Sequence, residues 1–305
     1  MEFFLQQTIN GLTLGSVYAL LALGYSMVYG VLKLLNFAHG EVYMFGAFAG
    51  LGMLNLLGGA GSLIVPVWIA IFLMFLAAMA ASSAIGVALE RFAYRPLRTS
   101  TRIAPLISAI GASFFLQASA LLLFSANSRS YEAPKLIAIQ TGVDIGPVRV
   151  WLVRILVIAA AAVLMVLLTL WVRRSKVGKA VRAVSYDREA AAMMGIDVDK
   201  VIMVVFLVGS ALAGIGGVMV GLVFGRIFHL MGFVAGLKAF TAAVLGGIGS
   251  IPGAMLGGLL IGFAESYATA YISSTFQNLI VFGLLIVVLL VRPTGLLGKP
   301  ELVKV

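Results

Sequence analysis

Residues 173–200 read Arg-Arg-Ser-Lys-Val-Gly-Lys-Ala-Val-Arg-Ala-Val-Ser-Tyr-Asp-Arg-Glu-Ala-Ala-Ala-Met-Met-Gly-Ile-Asp-Val-Asp-Lys, and they hold seven of the chain's 21 Lys and Arg residues and four of its 11 acids. On either side lie runs of more than twenty residues that are almost wholly apolar. Hydrocarbon offers no partner to a charge or a bare peptide group, so an island this polar lies in water while the flanking runs cross a bilayer. The chain therefore reads as an all-α, polytopic transmembrane helical bundle, with this loop as its main soluble surface.

A short helix is expected inside the island. Ser185 or Asp187 is placed to cap a run from Arg188 to Met194, with Asp187 and Glu189 in the first turn, where the helix dipole favours acids. Gly195 sits where a left-handed residue ends a helix, and Ile196 follows to fold back on the last turn. Ala190, Ala191 and Met194 share one small face by their three- and four-residue spacing. That face suits a groove on another protein, or else it rests on the chain's own membrane domain.

Hydrophobic residues make up 62% of the 305 and charged ones 10%, against about 45–50% and about 25% in soluble domains. Several of the 35 glycines recur at spacing four, as in Gly46 and Gly50, Gly217, Gly221 and Gly225, Gly253 and Gly257, and Gly258 and Gly262. Such spacing lets helices approach closely in lipid. The net charge of +10 would suggest nucleic acid in a soluble chain, but here the basic residues cluster between spans, which membrane topology and lipid explain without a nucleic acid partner. With no cysteine and only two histidines, His39 and His229, far apart, neither disulfides nor a metal centre is expected. The opening residues 1–7 lack the basic region of a cleavable signal, so the first span is expected to stay in the protein.

In chain order, the first span runs over 8–32 with Thr13, Ser16, Tyr18, Tyr25 and Ser26 in it, and Lys33 closes it. Leu34 to Glu41 then lead directly into a second apolar run ending at Leu57. Asn36, His39 and Glu41 at the mouth of that span either line a solute path or, for Asn36 and His39, bond free backbone groups as a cap and hinge. Further spans are expected over 63–89, 105–125, 150–172 and 201–224, with a mixed loop at 126–149.

Arg91, Arg95, Arg98 and Arg102 after the third span lie two crossings from the island, so both basic loops share a side. The positive-inside rule makes that side cytoplasmic and the N-terminus external. Arg292, Lys299 and Lys304 argue for a cytoplasmic C-terminus, which requires an odd number of crossings after residue 225. Two long runs, 253–272 and 276–291, supply an even number. The missing crossing is assigned to 237–249, about thirteen residues and too short for a full span. The expectation is eight full spans plus this discontinuous half-helix, with Lys238, Thr241, Gly246, Gly247 and Gly249 along the translocation route, or else a Gly/Pro kink in one long helix. Glu265 in the following span is expected to bond a neighbouring helix, with Lys238 a candidate partner, or to face a pore.

No nucleotide loop survives inspection. Gly247, Gly249 and Gly253 lack a βαβ setting, and Val177-Gly178-Lys179-Ala180 lacks the first glycine and the hydroxyl of a phosphate-binding loop. No nucleophile or paired-carboxylate arrangement stands out, so no catalysis and no bound cofactor are expected of this chain.

Four segments together resemble one family across nearly the whole chain. They are 35–41 (Leu-Asn-Phe-Ala-His-Gly-Glu), 189–197 (Glu-Ala-Ala-Ala-Met-Met-Gly-Ile-Asp), 236–254 and the tail 292–298 (Arg-Pro-Thr-Gly-Leu-Leu-Gly). The family is that of the permease subunits of bacterial branched-chain amino-acid ABC importers, in particular the shorter, H-type of two paralogous permeases. The resemblance implies that Glu189 to Gly195 is the E-A-A-x-x-x-G helix that docks in a cleft of an ATPase subunit. The I-x-L-P tail that follows this motif in many other ABC permeases is absent, since the chain runs Val204-Val205-Phe206-Leu207-Val208, which fits the amino-acid and sugar branch.

The resemblance also implies a second permease, two ATPases that use ATP and Mg, an external solute-binding protein, and a multi-pass place in the bacterial inner membrane. The expected function is half of a translocation path for leucine, isoleucine and valine. Permeases for urea, short amides or other amino acids form the alternative, followed by an ion-driven carrier, for which Glu41, Lys238 and Glu265 are few coupling groups.

Overall fold

The computed structural model describes residues 1–98, 100–101, 103–131, 141–146 and 148–298; Arg102, Lys299 and Lys304, which the topology argument used, and part of the mixed loop at 126–149 lie outside the described residues. The helices are α1 (Glu2–Leu32), α2 (His39–Leu56), α3 (Val67–Ala88), α4 (Ile103–Phe124), α5 (Leu152–Arg174), α6 (Lys176–Tyr186), α7 (Arg188–Met193), α8 (Val198–Phe224), α9 (Met231–Gly246), α10 (Ile251–Tyr271) and α11 (Gln277–Val291). Among the described residues seven segments are long and apolar enough to cross a membrane: α1, α3 with its extension to Leu97, α4, α5, α8, α10, and Ser274–Val291. Helix α2 at 18 residues and α9 at 16 complete the bundle.

Apolarity does not separate the inner helices from the outer ones; burial does. The apolar windows of α1 and α8 are 89% and 78% buried within the protein, whereas those of α4 and Ser274–Val291 are 22% and 6% buried. The inner helices carry the small residues. Gly258 packs on Ala19, Gly262 on Gly15, Gly46 on Gly214 and Gly257 on the Ala242 carbonyl, so backbones meet where lipid supplies no hydrophobic drive between helices. Gly225 is the exception in the spacing-four series. It faces open space at φ 73° and closes α8 as a left-handed cap.

Two breaks shape the centre. Lys33 ends α1 at φ 56°, and the chain then climbs back, because His39 at the start of α2 lies against Gly24 of α1. Eight residues of helix separate Gly24 from Leu32, so α2 begins about 12 Å inside the end of α1. The second break is the expected one, with different bounds. The short helix is 231–246 rather than 237–249, starting six residues earlier because Gly232 and Gly236 pack against Gly40 of α2 and carry the helix back to Met231. It ends at Gly246; Gly247 and Gly249 take φ values of 108° and 88°, and Ser250 caps α10 by accepting from the Gly253 N–H at 3.2 Å.

The tail returns to this turn. Leu296 and Leu297 donate to the Leu245 and Gly246 carbonyls, each at 2.9 Å, satisfying orphan groups at the end of α9. Gly249 donates to Ser26 Oγ of α1 at 2.8 Å, so the described tail lies at the Leu32 end of α1, opposite Glu2. The mixed loop holds strands not anticipated in the sequence: β1 (Arg129–Ser130) pairs antiparallel with β4 (Arg226–Ile227), and β2 (Gly142–Ile145) forms a hairpin with β3 (Val148–Trp151). They trim the Glu2 end of the bundle, where Tyr131 donates to the Ala47 carbonyl of α2 at 2.6 Å.

Candidate functional site

The polar island folds as two helices rather than one. Ser175 caps α6, accepting from the Gly178 N–H at 2.8 Å, and α6 buries Val181 and Val184. Ser185 lies inside this helix and donates to the Arg182 carbonyl at 3.2 Å, so the cap of the next helix is Asp187 alone, accepting from the Ala190 N–H at 3.1 Å. Helix α7 stops at Met193, with Met194 as its last cap, one residue sooner than the sequence reading. Gly195 follows at φ 80° and Ile196 N–H reaches back to the Ala191 carbonyl at 3.1 Å, the expected left-handed closure.

The faces of α7 are not those inferred from spacing. Ala191 is 4% exposed and turned inward, whereas Met193 and Met194 are 83% and 82% exposed, beside exposed Glu189 and Ala190. A six-residue helix has one outer edge, and the methionines form it. Arg188 points inward too, donating to the Val31 carbonyl in the last turn of α1 from Nε at 2.9 Å. Partial burial, then the charge of Arg98, push its guanidinium below the ordinary arginine value, and it stays a cation at any physiological pH. The Asp197 carboxylate is held below its usual range first by the Lys200 backbone N–H, which it accepts at 3.0 Å as the cap of α8.

A second attachment runs through α3. After Ala88 the helix widens into a π turn, Leu89–Tyr94, that carries Glu90 inward to 0% exposure. Glu90 accepts from Arg95 at 3.2 Å and from Arg98, and Arg98 also donates to Asp199 at 2.5 Å. The island is thus tied to both α1 and α3.

The residues expected along a route gather at the two breaks. Asn36 accepts from the Tyr94 hydroxyl at 2.8 Å, and His39 lies edge-on to Tyr25 with ring centres 4.8 Å apart. Neither side chain caps α2, whose cap residue is Ala38, so the cap role weighed for them is not the one they have. Glu41 accepts from Gln117 at 2.8 Å and Ser113 at 3.2 Å on α4, while its second oxygen abuts Gly232. There the first turns of α2 and α9 meet: a Cβ on Gly40 would overlap the Gly232 carbonyl and fall 2.9 Å from the Gly236 Cα.

Lys238 donates to Glu265 at 2.7 Å across α9 and α10, and the Tyr18 hydroxyl of α1 donates to the other carboxylate oxygen at 2.9 Å. Thr241 bonds back to the Leu237 carbonyl at 2.9 Å. Gly246 packs on Gly253, Gly247 on the tail at Gly298, and Gly249 on Gly30.

A cavity of about 560 Å³ opens between α1, α8, α9 and α10 toward the Glu2 end. Its polar lining includes Gln7, Asn10, Tyr18, Arg154, Arg226 and Glu265; its apolar wall includes Leu14, Val17, Val220, Val223, Met231 and Val234. From Gln7 to Tyr18 it runs about 16 Å along α1, half the thickness of a hydrocarbon core of about 30 Å. None of Asn36, His39, Glu41, Lys238, Thr241 and the three glycines lines it. Sequence reading passed over Arg154, although a lone cation at the head of an apolar span was a signal. Gln7 and Asn10 carry no such mark, whereas Arg226 bears the same one, a lone cation just past the end of an apolar span.

Comparison with known proteins bears on the whole chain. Residues 7–290 match the family model described as the branched-chain amino acid transport system permease component. The high-affinity branched-chain amino acid transport system permease protein BraD of Pseudomonas aeruginosa is 47% identical over 309 residues, covering 99% of this chain and 98% of its own length. LivH of Escherichia coli K12, with the same descriptive name, is 45% identical over 313 residues at the same coverage. A probable LivH of Methanocaldococcus jannaschii is 31% identical over 153 residues, 47% of this chain.

Proposed function

Because the chain belongs to the branched-chain amino acid transport system permease family, we propose that it forms half of the path by which an ATP-driven importer carries leucine, isoleucine and valine across the bacterial inner membrane. It works with a paralogous second permease, two cytoplasmic ATPase subunits that use ATP and Mg, and an external solute-binding protein. The island end is cytoplasmic, as its basic residues require, and the cavity faces the solute-binding protein.

One observation carries this reading: Arg188 joins the island to α1, the helix whose other half walls the cavity. Helix α7 offers Glu189, Ala190, Met193 and Met194 to an ATPase cleft, and methionine suits such a surface because its flexible, polarisable chain fills irregular grooves. A motor acting on α7 biases the path only through contacts that differ between its two states. The Arg188 tie and the Arg98–Asp199 bridge are the contacts through which that bias enters α1 and α3.

The test is copurification followed by reconstitution. The chain is expected to bring down its ATPases, and uptake of labelled leucine into proteoliposomes is expected to require ATP and the solute-binding protein. Uptake driven by a proton or sodium gradient without ATP overturns the reading in favour of a secondary carrier.

A further inference from the structure

We propose that Glu265 is the ammonium-binding group of an amino-acid subsite inside the cavity, and that Lys238 occupies it when no solute is bound. This rests on the importer reading above and adds where and by what chemistry the solute is held. Glu265 lines the cavity and its partner does not, since Lys238 is absent from the lining. Glu265 is also the only acid among the described lining residues, so a cationic end entering the cavity meets one carboxylate.

That carboxylate is 7% exposed, with one oxygen on Lys238 at 2.7 Å and the other on the Tyr18 hydroxyl at 2.9 Å. An ionised carboxylate has room for about four donors, so an α-ammonium group can add to Glu265 before Lys238 leaves. Glu265 keeps an ammonium partner throughout, whereas the displaced Lys238 cation loses its buried carboxylate, a cost that the solute's own contacts have to exceed. Nearer the mouth, Arg154 is held by Asn10 of α1 and has no acidic partner among the described residues, which turns a cation toward the carboxylate end of the solute. Between them Leu14, Val17, Val220 and Met231 supply an aliphatic wall. The volume, about 560 Å³, falls within the range of about 300–1,000 Å³ found for small-molecule sites.

The experiment uses the assembled importer in nanodiscs and proteoliposomes. Without the solute-binding protein, saturation-transfer NMR is run with L-leucine and with 4-methylpentanoate, which keeps the chain and carboxylate but lacks the ammonium. Wild type is expected to transfer saturation to the leucine methyls and at least tenfold less to 4-methylpentanoate. The paired variant Lys238→Met with Glu265→Gln removes both charges and leaves no buried ion alone. It is expected to assemble, to hydrolyse ATP, and to lose leucine binding and uptake at least tenfold.

A purely structural ion pair makes the opposite forecast, because the paired variant then retains uptake. Val234→Trp fills the cavity from a 45% exposed position while leaving both charges of the ion pair in the chain, and is expected to lose leucine binding as well. Leucine and 4-methylpentanoate bound alike, or wild-type uptake by either variant, overturns the subsite while leaving the importer reading intact. A wild-type complex that hydrolyses ATP yet imports no branched-chain amino acid removes both.

Discussion

The guanidinium of Arg188 donates to the Val31 carbonyl from Nε at 2.9 Å and from Nη2 at 2.5 Å, across 157 positions of sequence. The first residue of the island's short helix thereby satisfies a carbonyl that the end of α1 would leave without a partner. A charge-assisted bond of this kind contributes about 1.5–3 kcal/mol, and it is made from the membrane side of α7, away from the docking edge.

Arg188→Ala is therefore expected to spare assembly with the ATPases and to loosen the link to α1. Leucine imported per ATP hydrolysed falls about tenfold, the equivalent of about 1.4 kcal/mol, while the ATPase rate holds. Arg188→Lys, with a single donor centre in place of the fork, keeps part of the coupling. Measuring uptake and phosphate release in the same proteoliposomes checks it, and equal losses in both would assign Arg188 to docking instead.

Gly195 separates backbone strain from lost contact. A side chain there meets open space, so only its φ of 80° resists substitution. Gly195→Ile is expected to distort the end of α7 and uncouple uptake, since a β-branched residue in the left-handed region costs about 1–2 kcal/mol. Gly195→Asn, which tolerates that region, retains most activity. Uptake by the Ile variant at the wild-type rate would show that the closure of α7 is unimportant.

At the junction of α2 and α9 the prediction reverses, because space rather than φ is limiting. Gly40→Ala puts a methyl onto the Gly232 carbonyl, and overpacking a tight contact costs about 1–3 kcal/mol. A lower thermal transition of the detergent-solubilised chain is expected, and a larger drop for Gly40→Val. Gly52, which lies inside α2 and faces open space, serves as control: Gly52→Ala does not lower the transition, since alanine favours the helix.

The ion pairs at the end of α3 differ in burial and so in consequence. Glu90→Gln takes from Arg98, whose side chain is 12% exposed, a carboxylate at 0% exposure, and breaking a buried pair costs about 3–5 kcal/mol. Asp199→Asn removes a partner whose side chain is 57% exposed, where solvent screening keeps the loss under about 1 kcal/mol. Thermal transitions of the two variants side by side test the order, and a larger effect for Asp199→Asn would contradict it.

Much of this was legible along the chain. The alternation of apolar runs with charged loops marked α1, α3, α4, α5, α8, α10 and α11, because hydration of charge and burial of apolar surface are counted residue by residue. Asp187 as cap and Gly195 as closure were legible for the same reason: both act within one turn. The break after Gly246 showed as well, although its helix begins at Met231 and not Leu237, since Met231 to Leu237 are as apolar as the rest of the helix.

The sequence by itself determined which stretches enter the membrane, where they break and which loop stays in water. Tertiary structure alone decided which helices are central, that α2 begins beside Gly24, that Ala191 faces inward, and that Tyr18, Lys238 and Glu265 meet. Lipid and protein interior are equally apolar, so a helix carries no mark of which one surrounds it. Close approach depends on which glycines face each other across the fold, and that is a property of pairs.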